Sequence, residues 1–93
     1  MRIFRWNAEK NEKLLSERGI TFEEVVQKIA SGTKVIETDH PNNEKYPNQK
    51  ILIVDIEGYA YLVPCVVTDE EYFMKTIIPS RKATKRYLGG DYE

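Results

Sequence analysis

The sequence predicts an α+β domain: an antiparallel β-sheet with two N-terminal helices and a short basic C-terminal helix. Two observations carry this. Residues 8–30 are rich in helix formers and hold two cap signals, whereas residues 33–78 are dominated by β-branched and aromatic runs separated by turn residues. Helices and strands are thus segregated along the chain, which is the α+β pattern, in the order β-α-α-β-β-β-β-α. The whole chain, 1–93, is long enough for a single domain with one core and too short for two.

Residues 2–6, R-I-F-R-W, read as a short strand with Ile3 and Trp6 as candidate core residues. Asn7 suits an N-cap, because its side-chain oxygen accepts from a free N–H of the first turn. The segment A-E-K-N-E-K-L-L-S-E-R then runs as a helix to Arg18, and Gly19 stands where a C-cap glycine belongs. Thr21 and Glu24 form a capping box for a second helix. Its residues Phe22, Val25, Val26 and Ile29 follow the i, i+3, i+4, i+7 spacing of one apolar stripe. Ser31-Gly32 ends it. So short a link between the helices favours an angled or antiparallel pair.

T-K-V-I-E-T is a strand candidate, and D-H-P-N-N-E-K-Y-P-N-Q is a polar loop. I-L-I-V-D-I and Y-A-Y-L-V-P-C-V-V flank Glu57-Gly58, which predicts a hairpin turning there. Pro64 removes a ladder donor and argues for a strand end, a bulge or an edge at that point. Asp69–Glu71 form the next turn, and Y-F-M-K-T-I-I is a further strand stopped by Pro79. An antiparallel meander of these strands would set one sheet face on the helices.

Composition narrows the function classes. Hydrophobic residues make up 41% and charged residues 31%, the balance of a globular chain rather than a disordered one. No apolar run approaches the ~20 residues that span a bilayer, so no membrane association is expected. The start lacks a signal peptide's apolar core. A lone Cys65 in V-P-C-V-V cannot form an internal disulfide and reads as a buried, inert thiol. These features point to a cytoplasmic protein. One histidine, one cysteine and scattered carboxylates give no zinc-ligand spacing, and there is no Gly-rich phosphate loop. No metal and no cofactor is therefore expected.

The formal net charge of −1 does not by itself suggest nucleic acid. The placement of charge does. Arg81, Lys82, Lys85 and Arg86 fall within six positions with no acid between them. If Ser80 caps a helix, these four side chains lie within an arc of about 140°, with Ala83 and Tyr87 on the other side. Cations in a first helical turn oppose the helix dipole, and like charges at i and i+4 cost a few tenths of a kcal/mol. Local physics therefore favours a phosphate or carboxylate partner at this end. The alternative is a solvated helix paired with nearby acids such as Asp69–Glu71 or Asp91.

Three segments in order, F-R-W-N-A-E-K, R-G-I-T-F-E-E and I-I-P-S-R-K-A-T-K-R, resemble the BrnT family of ribonuclease toxins from bacterial type II toxin–antitoxin pairs. The resemblance spans Phe4 to Arg86. Trp6, Lys10, Gly19, Phe22, Glu23 and Glu24 match the family pattern F-x-W-D-P-x-K … N-x-x-K-H-G-x-S/T-F-E-E. Asn7 replaces its Asp, Leu14 replaces its Asn, and the Lys-His pair before the glycine is Glu17-Arg18. The closing S-A-R-R-A-T motif is matched by residues 79–84, with Lys82 for the second Arg. The resemblance implies a RelE-like fold, RNA cleavage that inhibits translation, and a basic helix that holds phosphates and transition-state charge. It also implies a cognate antitoxin, commonly a ribbon-helix-helix protein, with operator DNA bound only through that partner.

Metal-independent RNA cleavage needs a base for the 2′-hydroxyl, a stabiliser for charge on phosphorus and an acid for the leaving oxygen. Arg81 and Lys82 suit the second role, with Arg18 assisting. Lys10, Lys85 and Arg86 suit tracking of the RNA backbone. The acid and base stay open: His40 is the one imidazole and lies in a loop, Glu17 neighbours Arg18, and a lysine or tyrosine can serve where its surroundings allow. Arg18 cannot do the work of the family's histidine, because a guanidinium does not give up its proton. Two other readings compete. One is a non-catalytic binding module whose basic helix holds an acidic protein partner or uncleaved RNA. The other is a domain whose exposed sheet face exists to be covered by a partner.

Overall fold

The computed structural model describes residues 3–89; the expected strand residue Arg2 and the candidate acid Asp91 lie outside them. The elements are β1 (Ile3–Trp6), α1 (Ala8–Arg18), α2 (Phe22–Ala30), β2 (Val35–Asp39), β3 (Gln49–Ile56), β4 (Tyr59–Val67), β5 (Glu71–Met74), β6 (Ile78–Pro79) and α3 (Arg81–Ala83), followed by a π-helical turn, Thr84–Leu88. The α+β class and the element order are those the sequence predicts. No helix among the described residues is long and apolar enough to cross a membrane.

The helical hairpin is held by side chains that replace missing backbone bonds. Asn7 accepts from the Lys10 N–H, and Gly19 closes α1 at φ 68°. Thr21 accepts from the Glu24 N–H. Asn11 adds a tie between the helices: its oxygen accepts from the Phe22 N–H at 2.7 Å, and its amide donates to Glu23 at 2.6 Å. That amide holds the Glu23 carboxyl below its usual range.

The sheet runs β1-β5-β4-β3-β2, with β6 pairing β4 beyond β5. Four of its pairings are antiparallel, but β1 lies parallel to β5. The expected antiparallel sheet is thus mixed. The reason is topological: the chain leaves β1 through two helices, and three further strands are laid down before β5 returns beside it. Period-2 alternation then decides which residues of β1 face inward. Phe4 and Trp6 pack on the core, whereas Ile3 points away at 57% exposure. Ile3 and Trp6 cannot share a face, because they lie three positions apart, an odd number, along a strand.

Each face of the sheet carries its own apolar cluster. Leu52, Val54 and Ile56 of β3 meet Leu14, Phe22 and Val25 from the helical hairpin. Ile53 and Ala60, on the other face, meet Ala83, with Tyr87 and Leu88 at the margin. The basic segment therefore lies on the face opposite α1 and α2. Cys65 is buried in the first cluster, and desolvation pushes its thiol up to about 12, so it is protonated and inert at neutral pH.

Pro64 sits in the central strand, not at its end. Its carbonyl accepts from the Lys75 N–H just after β5 stops and before β6 starts. In extended backbone a residue's N–H and C=O point to the same side. The missing donor thus faces a break between two neighbouring strands, where no ladder bond is lost. That break also splits the single strand expected over 72–78 and turns Ile77 into the core.

Glu57 and Gly58 turn the β3–β4 hairpin with φ of 57° and 84°, both left-handed. Glu57 is the non-glycine in that region, and its pairing with Lys28 at 3.7 Å is solvent-exposed. Glu57→Asn should raise stability by about 0.5–1 kcal/mol, because asparagine tolerates this conformation better. Thermal unfolding would show it as a higher midpoint, by roughly 2–8 °C; an unchanged or lower midpoint would mean that the turn carries no strain.

Candidate functional site

The basic segment is fixed to the sheet through one residue of β4. Ala60 is fully buried, and its carbonyl accepts from the Ser80 N–H at 3.0 Å. Its N–H is met by the Thr84 hydroxyl at 2.8 Å, which in turn donates to the Ser80 carbonyl at 2.8 Å. Ser80 also caps the Ala83 N–H through its own hydroxyl at 3.0 Å. A serine and a threonine four apart thus do for Ala60 what a neighbouring strand would have done. The methyl side chain of Ala60 lets Ala83 lie against it. At the far end of the segment, Lys34 donates to the Tyr87 carbonyl at 2.9 Å.

Thr84 ends the motif matched by residues 79–84, but the sequence gives it no role, although it is 2% exposed and central to the site. Its signal is the S-x-x-x-T spacing next to the basic run. That signal is weak, because the same pattern on a solvated helix would mean nothing. Only the position of Ala60 beneath it gives it a role.

The segment differs in one respect from the expected helix. Only Arg81–Ala83 are α-helical, and Thr84–Leu88 wind as a π turn. Three α residues build no appreciable macrodipole, so the expected anion site at a helix N-terminus gives way to side-chain charge alone. The cations stand on two flanks. Arg81 and Lys85 line a cavity of about 250 Å³ together with Tyr59 and Thr84. Lys82 and Arg86 line another of about 340 Å³, with Ile53, Leu62, Tyr87 and Pro41 among its walls.

All four cations are exposed, and among the described residues none is ion-paired with a carboxylate. The acids Asp69–Glu71, candidates for neutralising them, are engaged elsewhere in part: Glu71 pairs with Arg5 at 3.4 Å. The Arg86 guanidinium lies 5.5 Å from the centre of the Tyr87 ring.

The other residues singled out from sequence fall at three different places. Arg18 ends α1 and donates to the carbonyl of Ile77, so its guanidinium braces the backbone three residues before Ser80. Lys10 and Glu17 belong to α1, in the layer on the opposite sheet face from Lys85 and Arg86. His40 follows β2; its Nδ1 accepts from the Asn42 N–H at 2.9 Å, and its ring lies 4.8 Å from that of Tyr46. That acceptor role leaves Nε2 to carry the proton of the neutral ring. His40 is also the chain neighbour of Pro41, which borders the Lys82–Arg86 cavity. No group of histidine, cysteine or carboxylate side chains among the described residues is arranged to hold a metal ion.

No protein-family model, curated protein or solved structure matches the chain. The likeness to BrnT toxins therefore stands on the short motifs and their spacing.

Thr84→Val keeps the shape of the side chain and removes the hydroxyl, leaving the buried Ala60 N–H without an acceptor. The expected loss is about 1–3 kcal/mol, read by chemical denaturation. Amide exchange at Ala60 should accelerate in step with it. Unchanged stability and protection would show that the segment is held by packing alone.

Proposed function

We propose that the chain is a BrnT-like toxin, a metal-independent endoribonuclease whose basic segment grips RNA phosphates. One observation carries this reading: four cations are exposed and without ion pairs among the described residues, on a segment clamped to the sheet by buried hydrogen bonds. Holding like charges together without counter-charges is unfavourable by itself, and it is relieved by a polyanion. The clamp matters for catalysis because charge stabilisation works best when the donors need no reorganisation.

In this reading Arg81 and Lys82, adjacent at the start of the segment, hold the scissile phosphate between its two flanks, and Lys85 and Arg86 follow the backbone to either side. Arg18 contributes from behind by bracing the approach to Ser80. Lys10 and Glu17, in the other layer, drop to outlying roles. His40 becomes the favoured proton carrier, on the ground that it adjoins the Lys82–Arg86 cavity. A small antitoxin, of the ribbon-helix-helix kind that the resemblance implies, would cover this face and carry any operator binding. Partly exposed Ile78 lies on the same sheet face and would be shielded with it.

A second reading is favoured by a specific feature. Among the described residues no carboxylate or imidazole hydrogen-bonds to any of the four cations. A grip without an adjoining acid and base is also what a non-cleaving holder of RNA, or of an acidic protein segment, would have.

Induced expression in a bacterial culture separates these readings. Wild-type protein should arrest growth and fragment RNA, and Arg81→Ala/Lys82→Ala should abolish both with little change in melting temperature. Intact RNA alongside soluble, folded wild-type protein would remove the nuclease reading. With purified protein, His40→Ala should slow RNA cleavage by about 10²–10⁴-fold if the imidazole moves a proton. A rate within a few-fold of wild type would exclude it from that role.

A further inference from the structure

The two flanks of the basic segment are chemically unlike. Tyr59, Arg81, Thr84 and Lys85 line the first cavity, whose walls offer charge and hydroxyl groups around one aromatic ring. The second has an apolar floor, made by Ile53 and Leu62 of adjacent strands, paired directly across the sheet. Pro41 closes it from the loop after β2, and Tyr87 supplies an aromatic wall. Lys82 and Arg86 stand on its rim, both exposed. A bare phosphate has no use for the apolar floor, and an apolar ligand has no use for the two cations. The combination suits a planar, weakly polar group that carries an anion on a short arm.

We propose that the cavity between Tyr87, Pro41 and the Ile53–Leu62 floor is a nucleobase subsite for single-stranded RNA, with Lys82 and Arg86 taking the phosphate attached to that nucleotide. The proposal rests on the RNA-binding reading above and adds to it the place where a base is held. Three physical points support it. Aromatic and apolar walls bind any base through its flat face, so the affinity does not need hydrogen-bond readout. The Arg86 guanidinium is already set near the Tyr87 ring, so a phosphate on the arginine brings its base to the aromatic wall. The backbone beside two of the walls is tied: Tyr87 through its carbonyl to Lys34, and the loop carrying Pro41 by the His40–Asn42 bond. The other cavity, with Arg81 and Lys85, then receives the backbone on the far side of the segment.

The test uses the full chain and 2′-O-methyl RNA hexamers, which lack the hydroxyl needed for self-cleavage. Their binding is compared with that of an abasic hexamer bearing the same phosphates, by fluorescence anisotropy at two salt concentrations. The base-bearing strand should bind about tenfold or more tighter than the abasic one. Tyr87→Leu, which keeps an apolar side chain against the sheet but removes the ring, should shrink that gap. Lys82→Ala should weaken both strands and lower the salt slope by roughly 0.7, the value for one phosphate on a single strand. Methyl NMR of Leu62 and Ile53 makes the test independent of the variants, because only the base-bearing strand should shift these signals.

Equal affinity for the two strands would overturn the subsite while leaving the RNA-binding reading intact. Tight binding of poly-glutamate with no preference for bases would overturn it in favour of an acidic peptide dock. Absence of binding by every strand would end both readings. A clear base preference without any RNA cleavage would keep the subsite and remove the nuclease.

Discussion

The arrangement of the molecule depends on how the backbone of Ala60 is satisfied. This residue lies in the central strand, fully buried, beyond the reach of β5. A buried N–H and C=O without partners would together cost several kcal/mol. No long strand covers them. The chain instead sends back Ser80 and Thr84, which supply one backbone donor and one hydroxyl acceptor. Because the hydroxyl of Thr84 also donates to Ser80, the clamp closes on itself. Everything on the basic face inherits its position from this.

The same constraint explains features that look unrelated. Pro64 is tolerated in a central strand because β5 stops beside it, and β6 takes over only two residues further on. The interruption lets Ile77 turn inward under the helices while Ile78 pairs with Leu62 on the other side. From there the chain passes to the second face and meets Ala60. Arg18 holds the Ile77 carbonyl at this crossing. A cation from the helical layer thus steadies the passage from one face of the sheet to the other. This accounts structurally for an arginine placed beside the helix-ending glycine.

Much of this was legible in the sequence. The helix pair carries its signals locally: Asn7, Gly19 and Thr21 act within three or four residues of themselves, and the structure places each of them as expected. The Glu57-Gly58 turn is equally local. The cluster of cations is plain as well, since neighbouring charges need no tertiary information to be counted. Less legible were Ile3, the split after Met74 and the parallel pairing of β1. Each depends on which strand lies alongside, and short apolar runs look the same in any pairing. The structural roles of Asn11 and Thr84 were missed for a related reason, because each polar side chain has its partner at a distance: Phe22 and Glu23 for one, Ala60 for the other.

The sequence by itself determined the α+β class, the order of the elements, their caps and turns, and the presence of an unbalanced basic run. Those properties arise from propensities and short-range bonds, which are written in consecutive residues. The tertiary structure alone decided that the basic run lies opposite the helices, that it winds partly as a π turn, and that its cations divide between two unlike cavities. It also decided that Lys10 and Glu17 lie in the other layer. The physical reason is that these outcomes follow from satisfying buried backbone groups across the sheet, and the residues that meet there are far apart in the chain.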